Sequence, residues 1–164
     1  MASNTRRPFS RMNKFFFYSI ITLCSLSSCS DNAYYEVNKP IENRSWSYEN
    51  KPQFDIYISN KSKAYDVYIN LRHTHKYEFS NIYLQLQEKG NNLQDTSYSK
   101  EIILAKPDGQ WLGKTVAGLY EYQYLALKNI VFPDTGLYSF KIAQNMNESP
   151  LKGIVDVGLK VVKK

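Results

Sequence analysis

Cysteine is almost absent from this chain of 164 residues, which contains only two. They are Cys24 and Cys29, so the whole chain beyond position 29 is free of cysteine. That part of the chain has no disulfide framework and no thiolate that could bind a metal or act as a nucleophile. Its stability must come from the packing of its side chains.

The sequence also lacks the patterns by which many enzymes hold substrates and cofactors. It has seven glycines but no glycine-rich phosphate loop, and no G-x-S-x-G turn presents a serine nucleophile. Carboxylates occur singly, and Asp108 and Asp134 each follow a proline, where the formation of a turn explains them. We therefore expect no enzymatic activity, no cofactor and no small-molecule substrate.

A hydrophobic run long enough to span a membrane is missing from the start of the chain. Residues 15–26 are uncharged and largely apolar, but they are fewer than the ~20 residues that cross a bilayer, and polar residues follow at once. Four basic residues precede this run: Arg6, Arg7, Arg11 and Lys14. A basic head before a short apolar run is typical of a secretory signal peptide, which we predict to occupy residues 1–28.

The end of this signal resembles a bacterial lipobox. The sequence Leu26-Ser27-Ser28-Cys29 places a cysteine directly after small residues. The resemblance implies cleavage before Cys29, transfer of a diacylglyceryl group to its thiol, and acylation of the new amino terminus. Each buried CH₂ group contributes ~0.8 kcal/mol, so two or three chains would hold the protein on a membrane of the cell envelope. Cys24 is a poorer candidate because the bulky Leu23 precedes it.

Net charge argues against nucleic acid as a partner. The chain carries 21 Lys and Arg against 15 Asp and Glu, a net charge of +6, but four basic and no acidic residues lie in the signal. Removal of residues 1–28 leaves a net charge of only +2 on 136 residues. That length suits one domain with its own core.

The remaining chain alternates apolar and polar residues with a period of two, which indicates β-strands. Inward-facing sets recur along the chain, for example Phe54, Ile56 and Ile58, then Val67, Ile69 and Leu71, then Ile82, Leu84 and Leu86. We predict an all-β fold, a two-sheet antiparallel sandwich that is immunoglobulin-like in architecture, over residues 45–164. Residues 29–44 are expected to form the lipidated N-terminus and a tether, with an early strand near residues 35–37.

One turn resembles the tyrosine corner of immunoglobulin-like sandwiches. The spacing Asp134-x-Gly136-x-Tyr138 predicts a turn from which Tyr138 points inward and bonds the backbone through its hydroxyl. Phe140 stands where an immunoglobulin domain has its second cysteine, so this likeness concerns architecture only.

Two further patterns are candidate binding sites. His73 and His75 have the i, i+2 spacing of a zinc pair, but no third ligand is evident, and a polar loop explains both, so we predict no metal site. Tyr120, Tyr122 and Tyr124 share one face of a strand, and this tyrosine stripe is a candidate binding surface for a sugar ring or a protein strand. The alternative interpretation is that the three rings cover the core or an edge.

Three segments, together with the lipobox, resemble the gliding-motility lipoprotein GldH family of Bacteroidota. They are residues 106–113 (KPDGQWLG), residues 132–146 (FPDTGLYSFKIAQNM) and residues 153–158 (GIVDVG). The resemblance implies a non-enzymatic envelope lipoprotein that acts with other proteins of the gliding machinery and its linked protein-secretion system. A different class of function remains open: a glycan-binding surface lipoprotein of a polysaccharide-uptake system, with the tyrosine stripe as its binding surface.

Overall fold

The structure, a computed structural model, describes residues 33–90 and 93–164. Apart from one 3₁₀ turn at Glu42–Arg44, its regular elements are eleven strands. In chain order they are β1 (Ala33–Pro40), β2 (Ser45–Trp46), β3 (Gln53–Ile58), β4 (Ala64–His73), β5 (Asn81–Gly90), β6 (Leu93–Ile103), β7 (Lys114–Val116), β8 (Leu119–Val131), β9 (Gly136–Gln144), β10 (Leu151–Lys152) and β11 (Ile154–Lys163). The predicted all-β fold is therefore confirmed. No helix of the described part is long and apolar enough to cross a membrane.

Two antiparallel sheets make up most of the fold. The first has five strands in the order β1-β11-β4-β8-β7, and the second has four in the order β3-β9-β5-β6. Strands β2 and β10 form a separate short pair. Sequence neighbours such as β4 and β5 lie in different sheets, so the core contains residues that are distant along the chain.

The core lies between the two sheets and explains the period of two. In β3 the buried residues Phe54, Ile56 and Ile58 alternate with more exposed neighbours. A line of aromatic rings joins the sheets, because Phe132 packs 5.3 Å from the Tyr65 ring of β4 and 4.5 Å from the Tyr138 ring of β9. Burial of such large side chains provides most of the stability of a domain that has no disulfide.

The five-stranded sheet begins well before residue 45, where the sequence placed the start of the sandwich. Strand β1 pairs with β11 along its length, from Ala33 opposite Val162 to Pro40 opposite Asp156. Ile41, which follows the strand, is buried. Half of the segment expected to be a tether is thus an edge strand, and three residues, 30–32, separate Cys29 from β1. The early strand predicted near residues 35–37 lies inside β1. Because β1 alternates poorly and ends in a proline, its sequence does not indicate its full length.

The tyrosine corner has the predicted geometry. The Tyr138 side chain is fully buried, and its hydroxyl donates to the backbone oxygen of Asp134 at 2.9 Å and accepts from the Asp134 amide at 3.2 Å. These two bonds fix the turn between β8 and β9 to the strand that follows it.

Candidate functional site

The predicted lipidation site, Cys29, lies outside the described residues. Strand β1, the first strand after Cys29, lies within the described residues. The beginning of β1 is held by its pairing with β11 and also by a side-chain hydrogen bond. The hydroxyl of Tyr34 donates to the backbone oxygen of Tyr57 at 2.6 Å, which joins the start of β1 to the end of β3 in the other sheet. The path of the chain toward Cys29 therefore starts at one defined end of the sandwich.

The three residues of the tyrosine stripe lie on the inner face of the five-stranded sheet. Tyr120, Tyr122 and Tyr124 of β8 pair with residues of β4 whose side chains are buried in the core: His73, Leu71 and Ile69, respectively. All three tyrosines are half-buried, and Tyr122 and Tyr124 pack against the hydrophobic core. The rings thus share a face, as predicted, and that face is directed at the core.

The ring of Tyr120 belongs to an aromatic cluster around His73. The imidazole of His73 is fully buried; its centroid lies 4.5 Å from the ring of Trp111, 5.3 Å from that of Tyr120 and 5.5 Å from that of Tyr77. Trp111 reaches this position from the loop between β6 and β7, where Leu112 donates to the Leu104 carbonyl. The cluster therefore closes one end of the core and fixes that loop to it.

The environment of His73 determines its proton state. Its Nδ1 atom lies 3.1 Å from the carbonyl oxygen of Thr74, which can only accept a hydrogen bond, so Nδ1 carries the proton. Its Nε2 atom is buried without a hydrogen-bond partner. Burial lowers the pKa of His73 because the charged imidazolium would lose its hydration.

The two histidines do not form a pair of metal ligands. His73 is fully buried, whereas His75 is exposed in the loop that follows β4. Among residues 33–90 and 93–164, no group of three or more His, Cys, Asp or Glu side chains could hold a metal ion.

The outer face of the five-stranded sheet carries a connected polar layer that the sequence did not single out. Asp156 of β11 is buried and accepts a hydrogen bond from the Nε atom of Arg72 at 2.6 Å, and Arg72 also lies 3.6 Å from the carboxylate of Glu121. The Asp156 carboxylate raises the pKa of Arg72. Three adjacent strands are thereby joined by charge on the face opposite the core.

The same layer continues along the sheet as a row of amide side chains. Asn70 of β4 donates to Glu36 of β1 at 3.0 Å and accepts from Gln123 of β8 at 2.9 Å. Gly158 of β11 leaves room for the side chain of Asn38, whose Oδ1 atom would lie 1.7 Å from a β-carbon at position 158. The period of two identifies these residues as outward-facing, but only the register between strands brings them together.

One buried carboxylate lies on the inner face of the second sheet. Glu88 of β5 is 5% exposed, and the hydroxyl of Tyr98 on β6 is 3.5 Å from its carboxylate. Burial raises the pKa of Glu88, because a charged carboxylate there has lost most of its hydration.

The fold and these clusters define an antiparallel β-sandwich protein with one polar sheet face and an aromatic cluster at one end. A family model described as GldH lipoprotein matches residues 33–161 of the chain. This match covers most of the chain, from β1 into β11, so the chain belongs to the GldH lipoprotein family.

Two curated relatives agree with the family model. The chain is 29% identical over 154 residues to a gliding motility lipoprotein GldH homolog of Christiangramia forsetii, with 90% of this chain and 94% of that protein covered. It is 25% identical over 146 residues to gliding motility lipoprotein GldH of Flavobacterium johnsoniae, with 85% of this chain and 90% of that protein covered.

Proposed function

We propose that this protein is a lipid-anchored component or assembly factor of the gliding-motility machinery and its linked secretion system, and that it acts without catalysis. The observation that carries the proposal is membership of the GldH lipoprotein family over residues 33–161, directly after a lipobox-like sequence that ends at Cys29. Two relatives that cover most of the chain are named for gliding motility.

Anchoring supplies the physical mechanism. Acyl chains on Cys29 confine the sandwich to a membrane surface, where its effective concentration toward other membrane-bound proteins is high. Interfaces of modest affinity are then sufficient for assembly. The polar layer centred on Asn70 and Arg72 is suited to such an interface, because its side chains are already ordered by one another.

The anchoring step is tested by substitution of the two cysteines. We expect Cys29→Ala to abolish incorporation of labelled palmitate and to release the protein from the membrane fraction. Cys24→Ala is the matched control, because Cys24 lies in the segment that cleavage removes and its loss should leave labelling intact. A Cys29→Ala protein that still carries label, or that stays with the membranes, would contradict the proposal.

The role in motility is tested by deletion of the gene in its own bacterium. We expect loss of surface spreading and reduced secretion through the linked system, both restored by the wild-type gene. Crosslinking in intact cells should capture other envelope proteins of the same machinery. Unchanged spreading together with unchanged secretion would refute the assignment.

A glycan-binding role finds less support in the geometry. Stacking of a sugar needs an open aromatic face, whereas Tyr122 and Tyr124 pack against the core and Tyr120 stacks on His73. Oligosaccharide binding that was lost on Tyr120→Ala without loss of folding would favour this alternative.

A further inference from the structure

The end of the sandwich where β1 begins has a surface unlike the opposite end. We define the basic end by three segments: residues 59–63, residues 128–135 and residues 162–164. These three segments lie at the same end of the sandwich as the start of β1. Ala33 of β1 is opposite Val162, and Ala64 at the start of β4 is opposite Val131 at the end of β8. We define the neutral end by the four segments 41–45, 74–80, 105–110 and 145–153, which contain the loops at the other ends of these strands.

The two ends differ in charge. The basic end contains five lysines and one aspartate, Asp134, and the neighbouring Asp66 adds a second carboxylate, a net side-chain charge of +3. The β5–β6 connection reaches the same end, and there Lys89 is paired with Asp95. Each segment of the neutral end contains one Lys or Arg and one Asp or Glu, so its net charge is zero. Lys61 and Lys164 are paired with Asp134 and Asp66, respectively. The excess charge at the basic end comes from the remaining three lysines, which are all exposed: Lys63, Lys128 and Lys163.

The three most exposed large apolar side chains lie at the same end, whereas those near the neutral end, such as Ile103 and Val116, are less exposed. Among the large apolar residues of the described part, Tyr57, Val131 and Leu137 are the most exposed, at 63%, 61% and 57%. Tyr57 and Leu137 are cross-strand partners at the end of the four-stranded sheet, and Val131 ends β8 in the five-stranded sheet. Apolar and aromatic side chains among lysines are the combination that binds the interface of an anionic bilayer.

The length of the connection to Cys29 brings this end to the membrane. Four residue steps separate Cys29 from Ala33, and a fully extended chain covers at most about 3.6 Å per residue, or roughly 14 Å in total. A lipidated Cys29 therefore holds the start of β1 at most about 14 Å from the headgroups, which is less than two Debye lengths of about 8 Å at physiological salt. A connection that is not fully extended brings the lysines into the range where anionic lipid attracts them.

We propose that the basic end is a second membrane contact, which docks on anionic headgroups and orients the sandwich with its neutral end away from the bilayer. The inference rests on the proposed lipidation of Cys29. The acyl chains hold the protein on the membrane, and the basic end sets its direction, which leaves the neutral end and its surrounding loops available to envelope partners.

The test uses the lipidated mature protein in vesicles that contain a nitroxide-labelled headgroup lipid. The mature chain has no other cysteine, so a cysteine introduced at Thr135 of the basic end or at Lys76 of the neutral end is the only free thiol for a fluorophore. With phosphatidylglycerol present, we expect several-fold stronger quenching at position 135 than at position 76. With phosphatidylcholine alone, we expect the difference in quenching between positions 135 and 76 to shrink. The two lipid compositions are compared with the same labelled proteins.

Charge reversal provides the matched comparison. The triple variant Lys63→Glu, Lys128→Glu, Lys163→Glu should lose the difference in quenching between the two positions. A control triple variant of exposed lysines at the neutral end, Lys76→Glu, Lys106→Glu, Lys152→Glu, should keep the quenching at position 135. Equal quenching at both positions, or a difference that does not depend on anionic lipid, would overturn the proposal and assign the basic end to another occupant.

Failure of the anchor itself is detected separately. An unlipidated Cys29 would take up a second fluorophore, and the protein would not float with the vesicles. Those two readouts contradict the proposed anchoring, whereas equal quenching in a protein that carries one fluorophore and floats contradicts only the orientation.

Discussion

His73 shows how tertiary contacts change the meaning of a single residue. In the sequence His73 belongs to a His-Thr-His pattern that a polar loop explains. In the structure its imidazole packs against the rings of Trp111, Tyr120 and Tyr77. Its buried Nε2 atom has no hydrogen-bond partner, so protonation would place an unpaired charge inside the protein. The residue therefore links the stability of the fold to pH.

We predict that His73 makes the protein less stable in mild acid. Because the pKa of His73 in the folded state is below its ordinary value of 6.5, the unfolded state takes up the proton first as the pH falls below 6.5. The free energy of unfolding should decrease from that pH down to the folded-state pKa. Urea unfolding of the wild type and of His73→Phe between pH 7.5 and pH 5, values chosen to bracket about 6.5, measures the difference.

The control for this prediction is the exposed neighbour His75. We expect His75→Phe to keep the pH dependence of the wild type, because this side chain is exposed and lies outside the aromatic cluster. If His73→Phe and the wild type lose stability in parallel, another group is responsible.

Glu88 provides a second test at the residue scale, with the opposite sign. Burial raises its pKa, so the ionised form at neutral pH is less stable in the folded than in the unfolded state. Glu88→Gln should raise the free energy of unfolding at pH 7 by on the order of 1 kcal/mol, and the gain should vanish near about pH 3, where the carboxyl group is protonated in both the folded and the unfolded state. Thermal unfolding at both pH values, with the exposed Glu78→Gln as control, checks this expectation.

At the scale of elements, β11 joins the edge strand β1 to the rest of the five-stranded sheet. It pairs with β1 on one side and β4 on the other, and its inward residues Val157, Leu159 and Val161 are fully buried. The outward Asp156 and Lys160 are buried as well, by side chains of the neighbouring strands. A strand that is covered on both faces contributes to the stability of both neighbours.

We predict that truncation of one β11 side chain destabilises the whole domain. Leu159→Ala should lower the free energy of unfolding by about 2–5 kcal/mol, because it removes buried surface and leaves a cavity between the sheets. Leu137→Ala, at a side chain that is 57% exposed, should change it by less than about 0.5 kcal/mol. Urea unfolding measures both, and equal effects would mean that Leu159 is not part of a close-packed core.

The β5–β6 connection shows where element boundaries escape the sequence. The composition of residues 88–94, mostly polar around Gly90, predicts a loop, but β5 continues to Gly90 and β6 starts at Leu93. Glu88 is polar yet faces inward, and Gly90 lies under the ring of Tyr138, where a β-carbon would be 2.2 Å from Cδ1. Glu88 and Gly90 therefore both interrupt the alternation of apolar and polar residues by which a strand is predicted from sequence.

At the scale of the whole molecule, the two ends of the sandwich have different surfaces. The lysines and exposed apolar residues of the basic end lie where the chain leaves toward Cys29, and the balanced charges of the neutral end lie at the opposite ends of the strands. A protein held by its lipidated end would present the neutral end to other envelope proteins. This polarity connects the fold to the proposed role in a membrane-bound assembly.

The sequence by itself determined the all-β class, the inward sets of β3, β4 and β5, the tyrosine corner and the resemblance to the GldH family. These follow from local patterns, because side-chain alternation, turn residues and motifs need only a few consecutive residues. It also supplied the lipidation prediction at Cys29, which lies outside the described residues.

Only the tertiary structure decided which residues from distant strands meet. The partner of β1, the polar layer around Asn70, the rings around His73 and the clustering of lysines at one end all depend on strand order and register. Register is set by contacts across the core and not by any one strand's own pattern. The tyrosine stripe illustrates the difference: its spacing predicted a shared face, but the pairing of β8 with β4 directed that face toward the core.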